Sequence, residues 1–463
     1  MSASCSNHRP VRKRNGYVMV FGTLMIGLIL IPAMGLAIDV GLMYTVEAVM
    51  SAASDAAAIA GARDLARGTN SQAQLINAQN TATAYFNANF PSGYLWSTNL
   101  TVNSVAATSQ TAMRTVTTTA SVQLPLIFLN MLHLGPQAIS TSSTASRRDI
   151  NVMFVMDRSG SLANSGSCAP LIASAVSFVN SFAQGRDQVG LITFATSSNV
   201  DAAPSTNFQP NVANVLNGVT CVGGTSSAQG LWQGYDQLVQ LNQDGALNAI
   251  LFFTDGYPTA TTESFPIKGT SPCTDKTNKV GVLTFGGSAL FGLYNPVAEN
   301  PIGDDLNLIV TGNINNCAFK SNQNNVGNDL SYAPIIDNWG NSLTATGYEP
   351  TTTSGSGLAL TATNIQNFST NAADDAAFRI RSGVADPAQG NKSLSNVVIY
   401  TIGLANAPGG IDQVLLQRIA NDPALSPNPV AAGAQGLFCN AADASQLNDC
   451  FMRVESQMLR ISQ

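Results

Sequence analysis

At 463 residues the chain is long enough for about two or three domains of roughly 150 residues each, which excludes a single core. Charged residues make up 10% and the formal net charge is -6, so there is no electrostatic footprint for nucleic acid, and DNA and RNA are set aside as partners.

In chain order, residues 1–16 carry Arg9, Arg12, Lys13 and Arg14, and "YVMVFGTLMIGLILIPAMGLAI" follows from Tyr17 to Ile38 without a charge. As a helix this stretch covers roughly 33 Å, enough to cross a bilayer, with Pro32 kinking or locally opening it. The residues ahead of the span are basic and the first ones after it, Asp39, Glu47 and Asp55, are acidic. The positive-inside rule then gives a single-pass inner (cytoplasmic) membrane protein with a cytoplasmic tail at 1–16, a transmembrane helix at 17–38, and the bulk of the chain periplasmic or extracellular. A cleaved signal peptide is the alternative, since Gly35 and Ala37 are small, but its apolar core would exceed the ~7–15 residues such peptides use.

Residues 39–148 read as a helical extension and a small β-rich stalk. "YTVEAVMSAASDAAAIAGARDLARG" is alanine-rich and free of proline, with Gly68 as a helix stop. From about Asn99 to Ser146, alternating Thr, Val and Ser predict two or three strands. The apolar piece "PLIFLNMLHLG" interrupts them, and its His133 reads as a packing residue. "RRD" at Arg147 to Asp149 marks a boundary.

Residues 149–463 alternate strands with helices. "INVMFVMD" is a near-continuous apolar run, the pattern of a strand covered on both faces. "CAPLIASAVSFVNSFAQG" suits a helix, "DQVGLITFA" a strand, "SAQGLWQGYDQLVQL" a helix, and "ALNAILFFTDG" and "NVVIYTIGLA" two further strands. "IDQVLLQRIAND" and "ASQLNDCFMRVESQML" supply closing helices. The fold class is therefore α/β, a doubly wound, mostly parallel, Rossmann-like sheet. The stretch at about 257–395 exceeds what one crossover needs, and with strand-like runs such as "VGVLTFGG" and "LNLIVTG" it reads as an inserted subdomain.

Open α/β sheets bind ligands at the carboxyl ends of their strands. Asp157, Ser159 and Ser161 follow one such end, Asp255 follows another, and Thr225 lies in a glycine-containing loop just before a helix. Five oxygen-bearing side chains of hydroxyl and carboxylate type suit a hard divalent cation, Mg2+ first and Mn2+ or Ca2+ after it. One coordination position is left for a carboxylate from a protein partner.

"DRSGS", "GGT" and "TDG", in that order, resemble the metal-ion-dependent adhesion site (MIDAS) of von Willebrand factor type A domains. The first motif alone describes an ordinary turn; the three in order, each beside its expected strand or helix, carry the likeness. The resemblance implies that Ser159, Ser161 and Thr225 ligate metal through hydroxyls, and that Asp157 and Asp255 act mainly through bound water. "GLAIDVGLMY" and "AASDAAA" resemble the opening of TadE/TadG-like pilus-assembly proteins, and the two resemblances together imply a TadG-like protein. Prepilin processing is not implied, because the fifth residue after Gly16 is Phe21 where the prepilin pattern has Glu.

Cys5 falls on the cytoplasmic side, leaving six cysteines in an oxidising compartment and 15 possible pairings. No C-x-x-C suggests zinc. Cys168 and Cys221 flank the first and second metal loops and are expected to pair. Cys439 with Cys450 is a local pair, which leaves Cys273 with Cys317 in the insertion.

Catalysis is not expected. A haloacid-type phosphatase needs a second Asp where Ser159 stands, a serine nucleophile needs an activating base, and the only histidines are His8 and His133. Neither a Gly-x-Ser-x-Gly elbow nor a Walker loop is present. The function implied is binding of protein partners, pilus-assembly or envelope components, through the metal site during assembly or anchoring of Tad-type pili. The alternative is a surface adhesin that binds host or matrix ligands without a pilus role. Further rivals are a secreted enzyme with its site in the insertion and a subunit of a cytoplasmic ATPase complex, the latter at odds with the charge pattern.

Overall fold

A computed structural model of the chain describes residues 17–65, 67, 71–108, 112–131, 133, 135–271, 273–274, 276–297, 317, 326, 329–344, 353–354, 357–405, 410–424 and 433–461. Residues 1–16, expected as a cytoplasmic tail, Gly68 and the run "LNLIVTG" lie outside them. The chain divides into two compact units. The first takes the N-terminal helices through Leu65, then Leu75–Ala107 and Thr115–Ala145; the second takes Ala66–Gln74, Thr108–Arg114 and Ser146–Gln463.

In the first unit α1 (Tyr17–Met25) runs through a π-helical turn at Ile26–Leu30 into α2 (Ile31–Asp64). Pro32 has no N–H to give the preceding turn, and the widened turn just ahead of it absorbs that lost bond. The side chains of the apolar span are almost all exposed, and the helix from Tyr17 to Asp64 is long and apolar enough to cross a membrane. Helix α3 (Ser71–Asn89), whose polar composition hid it from the sequence reading, follows. Then come β1 (Thr98–Thr108), β2 (Met113–Leu124), the short helix α4 (Ile127–Met131) and β3 (Gln137–Arg148), with the strands ordered β1-β2-β3. Bonds from the Thr98, Thr101 and Thr119 hydroxyls to the Gln123, Ser121 and Asn103 carbonyls make β1 and β2 antiparallel.

Small residues at helical spacing build this unit's core. Val46, Met50, Ala53 and Ala57 of α2 pack with Ala78, Ala82 and Phe86 of α3 and with Val116, Ala120 and Val122 of β2. At Gly61 a Cβ would lie 2.9 Å from the Ala78 carbonyl and 2.9 Å from Val116 Cγ1, so only glycine lets α2 come this close. The buried Asp39 caps α4: Oδ1 accepts from the Ile127 N–H at 2.9 Å, and Oδ2 from those of Phe128 at 2.9 Å and Leu129 at 2.8 Å. Asp39→Ala is expected to destabilise this unit by about 2 kcal/mol, the upper end for loss of a helix cap; earlier proteolysis around α4 in detergent is the readout. His133 is exposed, with φ +61°, just past the end of α4, so it is not the buried packing residue that the sequence reading expects. The five-residue helix ends before it.

The second unit opens with β4 (Ile150–Asp157), α5 (Gly160–Asn164), α6 (Cys168–Asn180), β5 (Gln188–Phe194) and β6 (Ser198–Ser205). Next are α7 (Phe208–Leu216), α8 (Ser227–Leu241), β7 (Leu247–Thr254) and three strands of a separate antiparallel sheet, β8 (Ala260–Phe265), β9 (Lys279–Gly286) and β10 (Ala289–Tyr294). The two-residue strands β11 (Thr353–Ser354) and β12 (Gly357–Leu358), then α9 (Ala362–Arg381), β13 (Val398–Leu404), α10 (Gln413–Ala420), β14 (Phe438–Ala441) and α11 (Leu447–Ile461) complete it.

The central sheet runs β14-β13-β7-β4-β5-β6, parallel throughout except for β6. Every residue of β4 and β7 is buried because helices cover both faces. Met153, Val155 and Phe252 pack with α8, α9 and α10 on one side; Val152, Phe154 and Phe253 pack with α6, α7 and α11 on the other. Strand β6 escaped the sequence reading because "SNVDAAPS" contains Pro204, which is tolerated at a sheet edge.

Helix α9 lies inside the 257–395 stretch, yet it is the crossover from β7 to β13. Its Phe368, Ala372, Ala376 and Ile380 share one core with Ile250 and Ile399 of the central sheet. The inserted part therefore ends before α9. The helix was hard to see because its core-facing side is largely alanine, which blurs the apolar period.

Candidate metal site

Register brings three loops to one end of the sheet. Asp157 pairs with Phe194 across β4 and β5, and Met156 with Phe253 across β4 and β7, so Asp157 and Asp255 leave adjacent strands side by side. Backbone bonds fix the loops. The Arg158 N–H donates to the Phe194 carbonyl, the Val222 N–H to the Arg158 carbonyl at 2.7 Å, and the Gly160 N–H to the Gly223 carbonyl at 3.0 Å. Gly223 adopts φ +95°, a conformation open to glycine that bends the second loop towards the first. The Thr225 carbonyl accepts from the N–H groups of Thr259 and Ala260, tying the second loop to the start of β8.

Four of the five expected side chains touch. The Ser159 and Ser161 hydroxyls are 2.9 Å apart, and both donate to Asp255 Oδ1, at 3.3 and 2.6 Å. Asp157 is fully buried; Oδ1 accepts from the Ser159 N–H at 2.7 Å and Oδ2 from the Thr254 hydroxyl at 2.6 Å. The fifth, Thr225, is buried on the adjoining loop, with its N–H given to Thr259 Oγ1 at 2.9 Å. Asp255 Oδ2 is buried and has no hydrogen-bond partner among the described residues.

The electrostatics follow from this packing. Burial, and then the Asp255 carboxylate, push the Asp157 carboxyl up to about 7, against the pull of hydrogen bonds from Thr254 and Ser159. Burial raises Asp255 as well, opposed by the two serine hydroxyls. Two carboxylates held out of water with one oxygen unsatisfied form a site that gains from a bound cation. An all-oxygen set of two carboxylates and three hydroxyls fits a hard divalent ion.

Three supporting threonines were missed. Thr254 holds Asp157, Thr259 holds the Thr225 backbone, and Thr196 Oγ1 accepts from the Gly224 N–H at 2.8 Å. Only Thr254 had a signal, as the first letter of "TDG". Arg158 points away from the site into the fold, its Nε donating to Thr193 Oγ1 at 3.1 Å. Disulfides join Cys168 to Cys221, Cys273 to Cys317 and Cys439 to Cys450. The first links the start of α6 to the loop that leads to Thr225.

Comparison with known proteins agrees with these parts. The von Willebrand factor type A domain profile matches residues 152–258, and the Flp pilus-assembly TadE/G-like profile matches residues 16–64. No curated protein matches the chain. Among solved structures, the PilB minor pilin from Streptococcus sanguinis is 13% identical, with 79% of this chain and 79% of that one covered and a TM-score of 0.37. The vWF domain of the type V pili tip protein Mfa5 from Porphyromonas gingivalis is 17% identical, with 69% and 98% covered and a TM-score of 0.36. The pilus adhesin SpaC from Lactobacillus rhamnosus GG is 14% identical, with 78% and 35% covered and a TM-score of 0.35. At these scores the structural likenesses carry no argument about function. The chain joins a TadE/G-like N-terminal region to a von Willebrand factor type A domain, and in that pairing it matches a TadG-like pilus-assembly protein.

Proposed function

We propose that this protein is a membrane-anchored envelope component that binds protein partners through a metal-ion-dependent site during assembly or anchoring of Tad-type pili. Its N-terminus lies in the cytoplasm and the type A domain outside. Asp157, Ser159, Ser161, Thr225 and Asp255 hold the metal, Mg2+ by preference for this oxygen set, with Mn2+ or Ca2+ as substitutes. When bound, the ion supplies a Lewis-acidic position for a partner's carboxylate. The role is adhesive rather than catalytic, in keeping with the type A domain.

One observation carries the reading: Ser159, Ser161 and Asp255 converge within hydrogen-bond distance, with Asp255 Oδ2 buried and without a partner among the described residues. The protein's own residues do the preparatory work. Thr254 and the Ser159 N–H orient the Asp157 carboxylate, and the serine hydroxyls hold Asp255 Oδ1 in place.

The test is a pull-down from envelope extracts with the full chain and with Asp157→Ala, each with Mg2+ and with chelator. Partners are expected on the native chain in Mg2+ only. Identical partners in all four conditions would overturn the metal-bridge reading.

A further inference from the structure

We infer that α4 lies in the outer interfacial layer of the bilayer and gives the anchor a second, shallow lipid contact beside its single span. The inference rests on the reading of residues 17–38 as a membrane span.

About 20 residues of helix cross the hydrocarbon, so a span entered at Tyr17 reaches the far boundary in the turn around Gly35 to Ile38. Helix α4 sits against that turn: a Cβ on Gly35 would fall 2.3 Å from Phe128 Cδ2 and 2.4 Å from Phe128 Cγ. The glycine leaves the slot into which Phe128 packs, and α4 thereby shares the depth of the last apolar turn.

Asp39 is the next constraint. A carboxylate and a set of free helix-end N–H groups are each costly at the edge of hydrocarbon, where water cannot satisfy them. Here they satisfy each other, through three bonds of 2.8–2.9 Å between the buried Asp39 and Ile127, Phe128 and Leu129. The arrangement satisfies the Asp39 carboxylate and these three N–H groups without water.

Of the described side chains of α4, Ile127 and Asn130 are exposed, an apolar and an uncharged polar residue. Ile127 is 63% exposed, and from Pro125 to Pro136 the sequence "PLIFLNMLHLGP" has no Asp, Glu, Lys or Arg. Ile38 at the end of the span and Ile127 of α4 are both exposed, and lipid covers both. Short apolar elements at this boundary bind by burying area in the headgroup and upper acyl region.

The experiment places a nitroxide at position 127 (Ile127→Cys) of the full chain, in a Cys5→Ser background, reconstituted in phosphatidylethanolamine and phosphatidylglycerol vesicles. Collision with oxygen is compared with collision with a water-soluble nickel chelate. Leu28→Cys reports the span and Thr101→Cys, on exposed β1, reports water. The oxygen-to-chelate ratio at 127 is expected to exceed that at 101 by several-fold and to fall below that at 28. A ratio at 127 equal to that at 101, or a label shielded from both probes because protein covers it, overturns the inference while position 28 still supports the span. Water-like behaviour at 28 overturns both. Ile127→Trp supplies a second readout that does not depend on the label: its added fluorescence is quenched by lipids brominated near the top of the acyl chain, and failure to quench overturns the inference equally.

Discussion

Asp157→Asn is expected to make the metal-free type A domain more stable than the native one at pH 8, while removing the stabilisation that Mg2+ gives. Moving this carboxyl from its ordinary 3.8 to about 7 means that ionising it in the fold costs on the order of 4 kcal/mol. The amide carries no charge; its Oδ1 can still accept from the Ser159 N–H while its Nδ2 donates to the Thr254 hydroxyl, which has the Gly256 carbonyl as another acceptor, so a gain of about 2–4 kcal/mol follows without metal. In the native chain a cation bound as proposed would remove the same cost.

The sign with pH is fixed by that raised value. Between pH 4 and 7 the metal-free folded state keeps a proton that the unfolded chain gives up. Metal-free stability therefore falls as pH rises through this window and levels off above about 7. On the proposed site Mg2+ would need the ionised pair, so its stabilising effect is expected to be largest above pH 7 and to shrink towards pH 5 as it competes with the proton. Asp149 and Asp337, each raised by burial to about 6, add a trend of the same sign that Mg2+ leaves unaltered. The difference between melting curves with and without Mg2+, measured from pH 5 to 8, isolates the site. A difference that is flat with pH, or equal in native and Asp157→Asn proteins, would remove Asp157 from the binding set.

The second large effect belongs to the Cys168–Cys221 bridge. It closes a loop across a sequence separation of 53, so replacing both cysteines with serine costs about 4 kcal/mol in the chain-entropy account. The bridge anchors the strand of chain leading to Gly223 and Thr225, and Mg2+ affinity is expected to drop with it, by about tenfold if about 1.4 kcal/mol of site organisation is lost. Serine at Cys439 and Cys450, separated by 11 residues, costs about 3 kcal/mol on the same basis. That pair joins β14 to α11, with β13 between β14 and β7, and its loss leaves the metal titration unchanged. Equal effects of the two double variants on Mg2+ affinity would mean that the first bridge supports the fold without organising the site.

Asp157, Ser159 and Ser161 span five residues directly after a strand, and the covalent chain alone keeps them together; this is why they were legible. The buried runs "INVMFVMD" and "ALNAILFFTDG" gave β4 and β7 in the same way, since a strand covered on both faces has to be apolar along its length. The Cys168–Cys221 pair was legible from the loops at one end of the sheet, Cys439–Cys450 from its short separation, and Cys273–Cys317 only as the remainder. Helix α3, the edge strand β6 and the crossover α9 were obscured by polar, proline-containing or alanine-faced sequences, for which period and composition say little until a neighbour defines the buried side.

By itself the sequence determined the apolar span, the alternation of strands and helices, and the oxygen-bearing residues that follow strand ends, because each is written within a few consecutive positions. Only the tertiary structure decided that Thr254 would grip Asp157, that Asp255 Oδ2 would be left buried and unsatisfied, and that Asp39 would cap a helix 88 residues further on. These depend on register, on backbone bonds between loops and on burial. Such quantities arise when distant segments exclude water together, and no local pattern encodes them.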